Sequence, residues 1–235
     1  MNSKINGIRF EKFLMDVRSC SISELIEYAF FRAFEENSTL FSRWRAALSK
    51  LEGFKPDKSP HDAGDNDAYF DCLIRALEDE HARAASNSSK HLPSSRERFQ
   101  IQVTRYWLVS MSEMLRSTYN SMVPDHPHRS DIAGLRDMFG AFRIPISKQE
   151  VHKADDTTAY PKAHIVNSAS DPNNNEISCD GRVRYQVGAY RVEPLFNEEN
   201  GSILFPVYDH RLKEIQTFDR RQLSEHFLTE VEKLK

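Results

Sequence analysis

Apolar residues recur at helical spacing through the front half of the chain, which predicts a series of amphipathic helices. Ser21 with Glu24 and Ser94 with Glu97 each fit a capping box, in which two side chains satisfy the free N–H groups of a first helical turn. Gly53 and Gly140 suit the ends of helices. The predicted helices cover residues 8–19, 21–36, 39–52, 67–85, 95–121 and 131–139.

The pattern changes to strand-like alternation after residue 176. Asp180-Gly181 and the NEENG segment at 197–201 each predict a tight turn between two strands. A further strand is expected over 212–218, and Asp219 is expected to open a last helix that covers the apolar face of the sheet. The sequence therefore predicts an α+β fold: an N-terminal helical bundle followed by a small antiparallel β-meander covered by a C-terminal helix.

Residues 154–176 carry few large apolar side chains and include the polar run DPNNNE. This composition is typical of a long loop or a linker. We therefore expect a helical domain over 1–153, a linker over 154–176, and a sheet with a C-terminal helix over 177–235.

Composition indicates a globular protein, with 39% hydrophobic residues, 29% charged residues and a net charge of −3. Cys20, Cys72 and Cys179 show no CxxC or CxxH spacing, which argues against a zinc site or a disulfide framework. No apolar run is long enough for a membrane span or resembles a signal peptide. Phosphate-binding glycine motifs and the GxSxG elbow are also absent from the sequence. We expect a cytoplasmic protein without a cofactor.

Two Arg–His pairs are candidate catalytic groups. Arg75 and His81 lie on one predicted helix, and Arg221 and His226 lie on another. This spacing resembles the Arg-x(4–6)-His motif of the HEPN ribonucleases, helical proteins in which Arg and His of paired protomers cut RNA. The resemblance covers these positions alone, and Ala76 follows Arg75 where that family commonly has a polar residue. It implies a metal-independent ribonuclease with Arg75 and His81 as catalytic residues, whereas the alternative is the solvated end of a charged helix.

A second candidate constellation is the His126-x-His128 pair, with Asp125 and Asp131 close by in the sequence. Imidazole and carboxylate groups are zinc ligands, but no further ligand follows at a fixed spacing. Histidine and aspartate are also ordinary in turns that cap helices. We favour the turn and predict no metal site.

Aromatic residues occupy more than one face of two helices. Tyr28 and Phe31 lie off the main apolar stripe of 21–36, and Tyr106 and Trp107 are adjacent on 95–121. Apolar faces beyond what one core needs indicate a bound partner. We therefore predict that Tyr28, Phe31, Tyr106 and Trp107 contact a protein partner.

Arginines are clustered on the long helix and on one predicted strand. Arginines mixed with aromatic rings can bind a nucleic-acid backbone and its bases. The alternative is a set of solvated arginines, paired with carboxylates. The candidate nucleic-acid-binding residues are Arg96, Arg98, Arg105, Arg182 and Arg184.

The leading hypothesis from the sequence is a non-catalytic interaction or accessory subunit of a larger intracellular assembly of bacterial type. It rests on the missing catalytic signatures and on the extra aromatic faces. The arginine clusters favour an assembly that handles nucleic acid, such as a defence or DNA-maintenance complex. The alternatives are the HEPN-like ribonuclease and a stand-alone nucleic-acid-binding protein.

Overall fold

The computed structural model describes residues 20–55, 64–85, 95–143, 146, 159–161, 182–184, 194–209 and 214–234. The helices in these ranges are α1 Ile22–Glu36, α2 Ser38–Gly53, α3 Gly64–Ala85, α4 Ser95–Ser121, α5 Arg129–Arg143 and α6 Arg220–Lys233. The strands are β1 Ala159–Pro161, β2 Arg182–Arg184, β3 Leu195–Phe196, β4 Ile203–Asp209 and β5 Glu214–Asp219. The predicted fold class is confirmed: a helical N-terminal bundle precedes a three-stranded antiparallel sheet that packs against α6.

The helix boundaries follow the capping signals where these fall in the described part of the chain. The capping box of α1 is present, because the Ser21 N–H donates to Glu24 Oε2 at 2.7 Å and the Glu24 N–H donates to Ser21 Oγ at 3.2 Å. Helix α5 runs past Gly140, where the sequence predicted its end. The buried residues Phe139 and Phe142 lie on one side of this helix and hold its last turn in the core. The predicted helix over 8–19 lies outside the described residues.

The turn predicted at 197–201 joins β3 to β4, as expected. The Asn197 N–H donates to the carbonyl of Ser202, and the Gly201 N–H donates to the carbonyl of Asn197, both at 2.8 Å. Gly201 has φ +68°, and a Cβ atom on it would lie 1.9 Å from the carbonyl oxygen of Glu78 on α3. The turn therefore needs glycine both for its backbone conformation and for its close contact with the bundle.

A second, two-stranded sheet pairs β1 with β2, with Tyr160 opposite Val183. Strand β1 lies within 154–176, for which the composition predicts a long loop or a linker, and it occupies three residues of that range. Three paired residues among polar neighbours give too short an alternation to be recognised in a sequence. The hairpin expected at Asp180-Gly181 lies outside the described residues.

One hydrophobic core holds residues from the bundle and from the C-terminal region. Trp44 of α2 lies with its ring centroid 6.2 Å from that of Trp107 of α4 and 5.0 Å from that of Phe227 of α6. Phe139 of α5 contacts Phe227 at 6.1 Å. Because large rings bury much apolar area, these contacts fix α6 in the bundle. No helix in the described ranges is both long and apolar enough to cross a membrane.

Candidate interaction surface

A buried ionic network joins α3 to α6. The guanidinium of Arg220, which opens α6, is fully buried and binds the buried carboxylates of Asp71 and Glu78 on α3. Trp44 Nε1 donates to Asp71 Oδ2 at 2.9 Å, and Arg220 Cζ lies 4.5 Å from the ring centroid of Trp107. A buried charge without a partner lowers the stability of the folded protein, so each of these charged groups needs the others to remain buried.

Arg221 and Arg75 extend the network towards the surface. Arg221 donates from Nε to Glu78 Oε2 at 2.8 Å and from Nη2 to Asp79 Oδ1 at 2.5 Å. Arg75 Nη2 donates to Glu225 Oε1 at 2.7 Å. Burial raises the pKa of Glu78 to about 7, and the Arg221 guanidinium limits that rise. These arginines and carboxylates bind each other, and their ion pairs hold α6 against α3.

The structure gives Arg75 and His81 different partners. Arg75 points to α6 and Glu225, whereas the His81 ring stacks on Phe196 of β3, with centroids 4.3 Å apart and an interplanar angle of 10°. His81 Nδ1 also lies 3.7 Å from Glu97 Oε1 on α4. Burial lowers the pKa of His81 and favours a neutral ring, although Glu97 acts in the opposite direction. Among the residues described, no contact brings the two side chains to a common cleft.

The second Arg–His pair is divided in the same way. Arg221 is bound to α3, whereas His226 is exposed on α6 with Nδ1 3.9 Å from Glu230 Oε1. His226 and Glu230 line an open groove of about 250 Å³ between α5 and α6, together with Asp131, Gly134, Leu135, Met138 and Leu234. The arginines of the two pairs are nevertheless neighbours, since Arg75 Nη2 lies 3.4 Å from the carbonyl oxygen of Arg221.

His126 and His128 lie in the turn before α5. The His128 N–H donates to His126 Nδ1 at 3.2 Å, and His128 Nδ1 lies 3.4 Å from Asp131 Oδ2. Both rings also contact Phe54, with centroid distances of 4.9 and 5.5 Å. Turn hydrogen bonds and packing therefore account for both histidines. The described parts of the chain contain no group of three or more His, Cys, Asp or Glu side chains arranged to hold a metal ion.

An apolar face crosses α1, α3 and α4. Phe70 of α3 lies in its middle, with its ring centroid 5.5 Å from that of Phe30 on α1 and 5.1 Å from that of Tyr106 on α4. Residues four or seven apart share one side of a helix, which extends the face along each of the three helices. We call this surface the aromatic face and define it by Ile26, Phe30, Phe70, Leu77, Phe99 and Tyr106.

The aromatic face is open to solvent. Tyr106 is 60% exposed, Ile26 53% and Phe99 51%, and Ile22, one turn before Ile26, is 77% exposed. Helix α1 has a single buried residue, Ala33, among its 15 residues. Most of its apolar side chains thus remain partly or fully in water. Contiguous exposed apolar surfaces are typical of interaction sites, so the aromatic face is a candidate for one.

The predicted partner-binding residues have different positions. Tyr106 lies on the aromatic face, and Phe31 is 41% exposed on α1 beside Phe30. Tyr28 is half-buried. Trp107 is fully buried among core side chains, so the structure removes it from the exposed surface. The sequence analysis also missed Ile26 and Phe99, although the seven-residue spacing of Phe99 and Tyr106 was a signal that the two share one side of α4.

Opposite charges border the aromatic face. Glu27 is exposed on α1 next to Ile26, and Arg98 and Arg105 lie on α4 next to Phe99 and Tyr106. None of these three side chains has an ionic partner among the described residues, in contrast to Arg75, Arg220 and Arg221. The α1 border is therefore acidic and the α4 border is basic.

The predicted nucleic-acid-binding residues are only partly brought together. Arg96, Arg98 and Arg105 lie on α4, where Arg98 is exposed and the other two are half-buried. Arg182 and Arg184 form the ends of β2, opposite Pro161 and Ala159. The side chains of these two strand arginines lie outside what the structure describes.

Comparison of the chain with protein-family models, with curated proteins and with solved structures finds no match in any of the three.

Proposed function

We propose that this protein is a non-catalytic interaction subunit of a larger assembly, in which another protein binds to the aromatic face. The observation that carries the proposal is the exposure of Ile26, Phe99 and Tyr106 around Phe70. Burying these side chains against a partner would make the free energy of binding more favourable by roughly 25 cal/mol for each Å² of apolar surface removed from water. Exposed aromatic rings of this kind are also the residues that most often dominate binding energy at protein interfaces.

The borders of the aromatic face define the chemistry of the partner. Glu27 on α1 favours a basic residue opposite that helix, and Arg98 and Arg105 on α4 favour acidic residues opposite the other border. Complementary charge at the edge of an interface fixes the orientation of the partner and excludes others. The expected partner therefore offers an apolar centre with a basic edge and an acidic edge.

The proposal that the protein is non-catalytic rests on the contacts that the side chains of the two Arg–His pairs make. Arg75 and Arg221 bind carboxylates of the network, and the buried His81 ring stacks on Phe196 with its Nδ1 facing Glu97. A catalytic acid, base or oxyanion-binding group must instead point at a position that a substrate can reach. The geometry of the two Arg–His pairs therefore favours a structural role.

Co-purification with matched variants tests the proposal. Ile26→Asp places a charge on the aromatic face, whereas Val123→Asp places one on an exposed apolar residue that lies outside it. Tagged wild-type protein and Val123→Asp, expressed at native level in the native source, should retain the same protein in a fixed ratio, and Ile26→Asp should lose it. Retention by Ile26→Asp, with all three proteins equally folded by circular dichroism, would contradict the proposal.

A second candidate function is binding of single-stranded nucleic acid along α4. Arg98 and Arg105 have no ionic partner in the described chain and alternate with the exposed rings of Phe99 and Tyr106. Rings that stack on bases, combined with arginines that neutralise phosphates, are the usual means of binding single strands. Fluorescence anisotropy with a labelled RNA should then show affinity that falls steeply with salt and with Arg98→Ala. Absence of binding at low salt removes this candidate.

A further inference from the structure

We infer that the protein covering the aromatic face is a second copy of this chain, which forms a two-fold symmetric dimer. The inference rests on the proposed function, because it names the partner of the same surface. The required partner has an apolar centre, a basic edge and an acidic edge. The chain itself offers this combination, with Arg98 and Arg105 at one border and Glu27 at the other.

The order of the helices decides which symmetry axis fits. Phe70 contacts both Phe30 and Tyr106, so α3 lies between α1 and α4 on this face. A two-fold axis parallel to α3 places α1 of each copy on α4 of the other. The interface then contains two equivalent contacts, each between an acidic border and a basic border. An axis in the same plane but perpendicular to α3 would place α1 on α1 and juxtapose like charges. A self-complementary surface is what a two-fold dimer requires.

The same geometry identifies the facing charges. Rotation about an axis parallel to α3 leaves each residue at its own height along the bundle. Phe30 and Tyr106 share one height, because both rings contact Phe70. Glu27 lies within one turn of Phe30, and Arg105 is adjacent to Tyr106. Glu27 of one copy therefore faces Arg105 of the other at each of the two edges of the interface.

The size of the face sets the expected affinity. Helix α1 has 15 residues and is about 22 Å long. Three helices with axes about 8–10 Å apart present roughly 400 Å² over this length, which is small beside the ~800 Å² that each partner buries in a standard interface. We expect a reversible dimer with a dissociation constant on the order of micromolar.

Sedimentation equilibrium with charge-reversal variants tests this inference. Wild-type protein studied from about 1 to 100 μM should shift from the chain mass of 27.2 kDa to twice that mass. Glu27→Arg and Arg105→Glu should each raise the dissociation constant about ten-fold or more, because each juxtaposes like charges. The double variant should return to within about three-fold of wild type.

Two controls accompany this experiment. Glu199→Arg makes the same charge change in the exposed turn between β3 and β4 and should leave the dissociation constant unchanged. Circular dichroism checks that each variant is folded. The milder variants Glu27→Gln and Arg105→Gln should weaken the dimer in the same direction by a smaller factor.

The possible failures can be told apart. A monomer at every concentration, or a dimer indifferent to both reversals, overturns the inference. If such a monomer still binds a different protein that Ile26→Asp releases, the proposed function stands without the dimer. If the wild type is monomeric at every concentration, Arg105→Glu abolishes RNA binding and the double variant does not restore it, then α4 binds nucleic acid and the dimer inference is wrong.

Discussion

Arg220 and Asp71 form a fully buried ion pair between two helices, although 149 residues separate them in the chain. Arg220 also reaches Glu78, and its guanidinium lies over the ring of Trp107. Removing one partner of such a network leaves the others charged and buried, which costs more than the intact network contributes. Arg220 therefore contributes to the attachment of α6 to the bundle, together with the ring contacts of Phe227.

Arg220→Met should lower the free energy of unfolding by about 3 to 5 kcal/mol, because it leaves Asp71 and Glu78 without this cation. Urea denaturation followed by circular dichroism measures the change. Arg136→Met is the control, since Arg136 forms a more exposed pair with Asp137 that should contribute less than about 1 kcal/mol. Equal losses in the two variants would contradict a special role for the buried network.

Gly201→Ala should destabilise the protein by about 2 kcal/mol or more. The substitution combines a positive φ with a Cβ atom 1.9 Å from the carbonyl oxygen of Glu78, so the turn would have to move away from α3. Gly134→Ala is a matched control, because Gly134 is helical and a Cβ there would meet nothing within 4 Å. That control should stabilise the protein by about 0.5 to 1 kcal/mol. Thermal unfolding of both variants measures whether Gly201→Ala lowers the stability and Gly134→Ala raises it.

Asp67 should make stability depend on pH. The side chain is fully buried on α3, and burial raises its pKa to about 6, an effect that the Ser110 side chain only partly offsets. From its ordinary pKa near 3.8 up to pH 6, the unfolded chain releases this proton while the folded protein retains it. The free energy of unfolding therefore falls as the pH rises through this window, by about 3 kcal/mol from this group alone.

Asp67→Asn should remove that decline, because the amide stays uncharged at every pH. The variant and the wild type should differ little below pH 4, and the variant should be the more stable above pH 6. Urea denaturation of both proteins across this range gives the difference directly, since the other titrating groups are common to both. A constant difference across the range would show that Asp67 is not the group responsible.

The secondary structure followed from the sequence wherever a local signal existed. The Ser21–Glu24 capping box, the turn at 197–201 and the cap at Asp219 all lie where short-range chemistry predicted them. Strand β1 was missed because three residues carry too little periodicity. Gly140 was taken for a helix end, but buried residues on both sides of it continue α5.

The interaction surface was less predictable, because it depends on which helices become neighbours. Tyr106 and Trp107 are adjacent on a helix with apolar residues on several sides, so periodicity alone gave no reason to place one outside and the other in the core. Arg220 and Arg221 both bind carboxylates of α3. The spacing of residues within one helix cannot predict contacts between residues so far apart in the chain.

Photo-crosslinking from single positions tests the central claim, that the aromatic face binds a protein, most directly. A photoreactive amino acid would replace Phe99 on the face in one variant and Val123 outside it in another, both at native expression level in the native source. Covalent protein adducts are expected from position 99 and none from position 123. Equal adducts from both positions, or none from position 99, would contradict the claim.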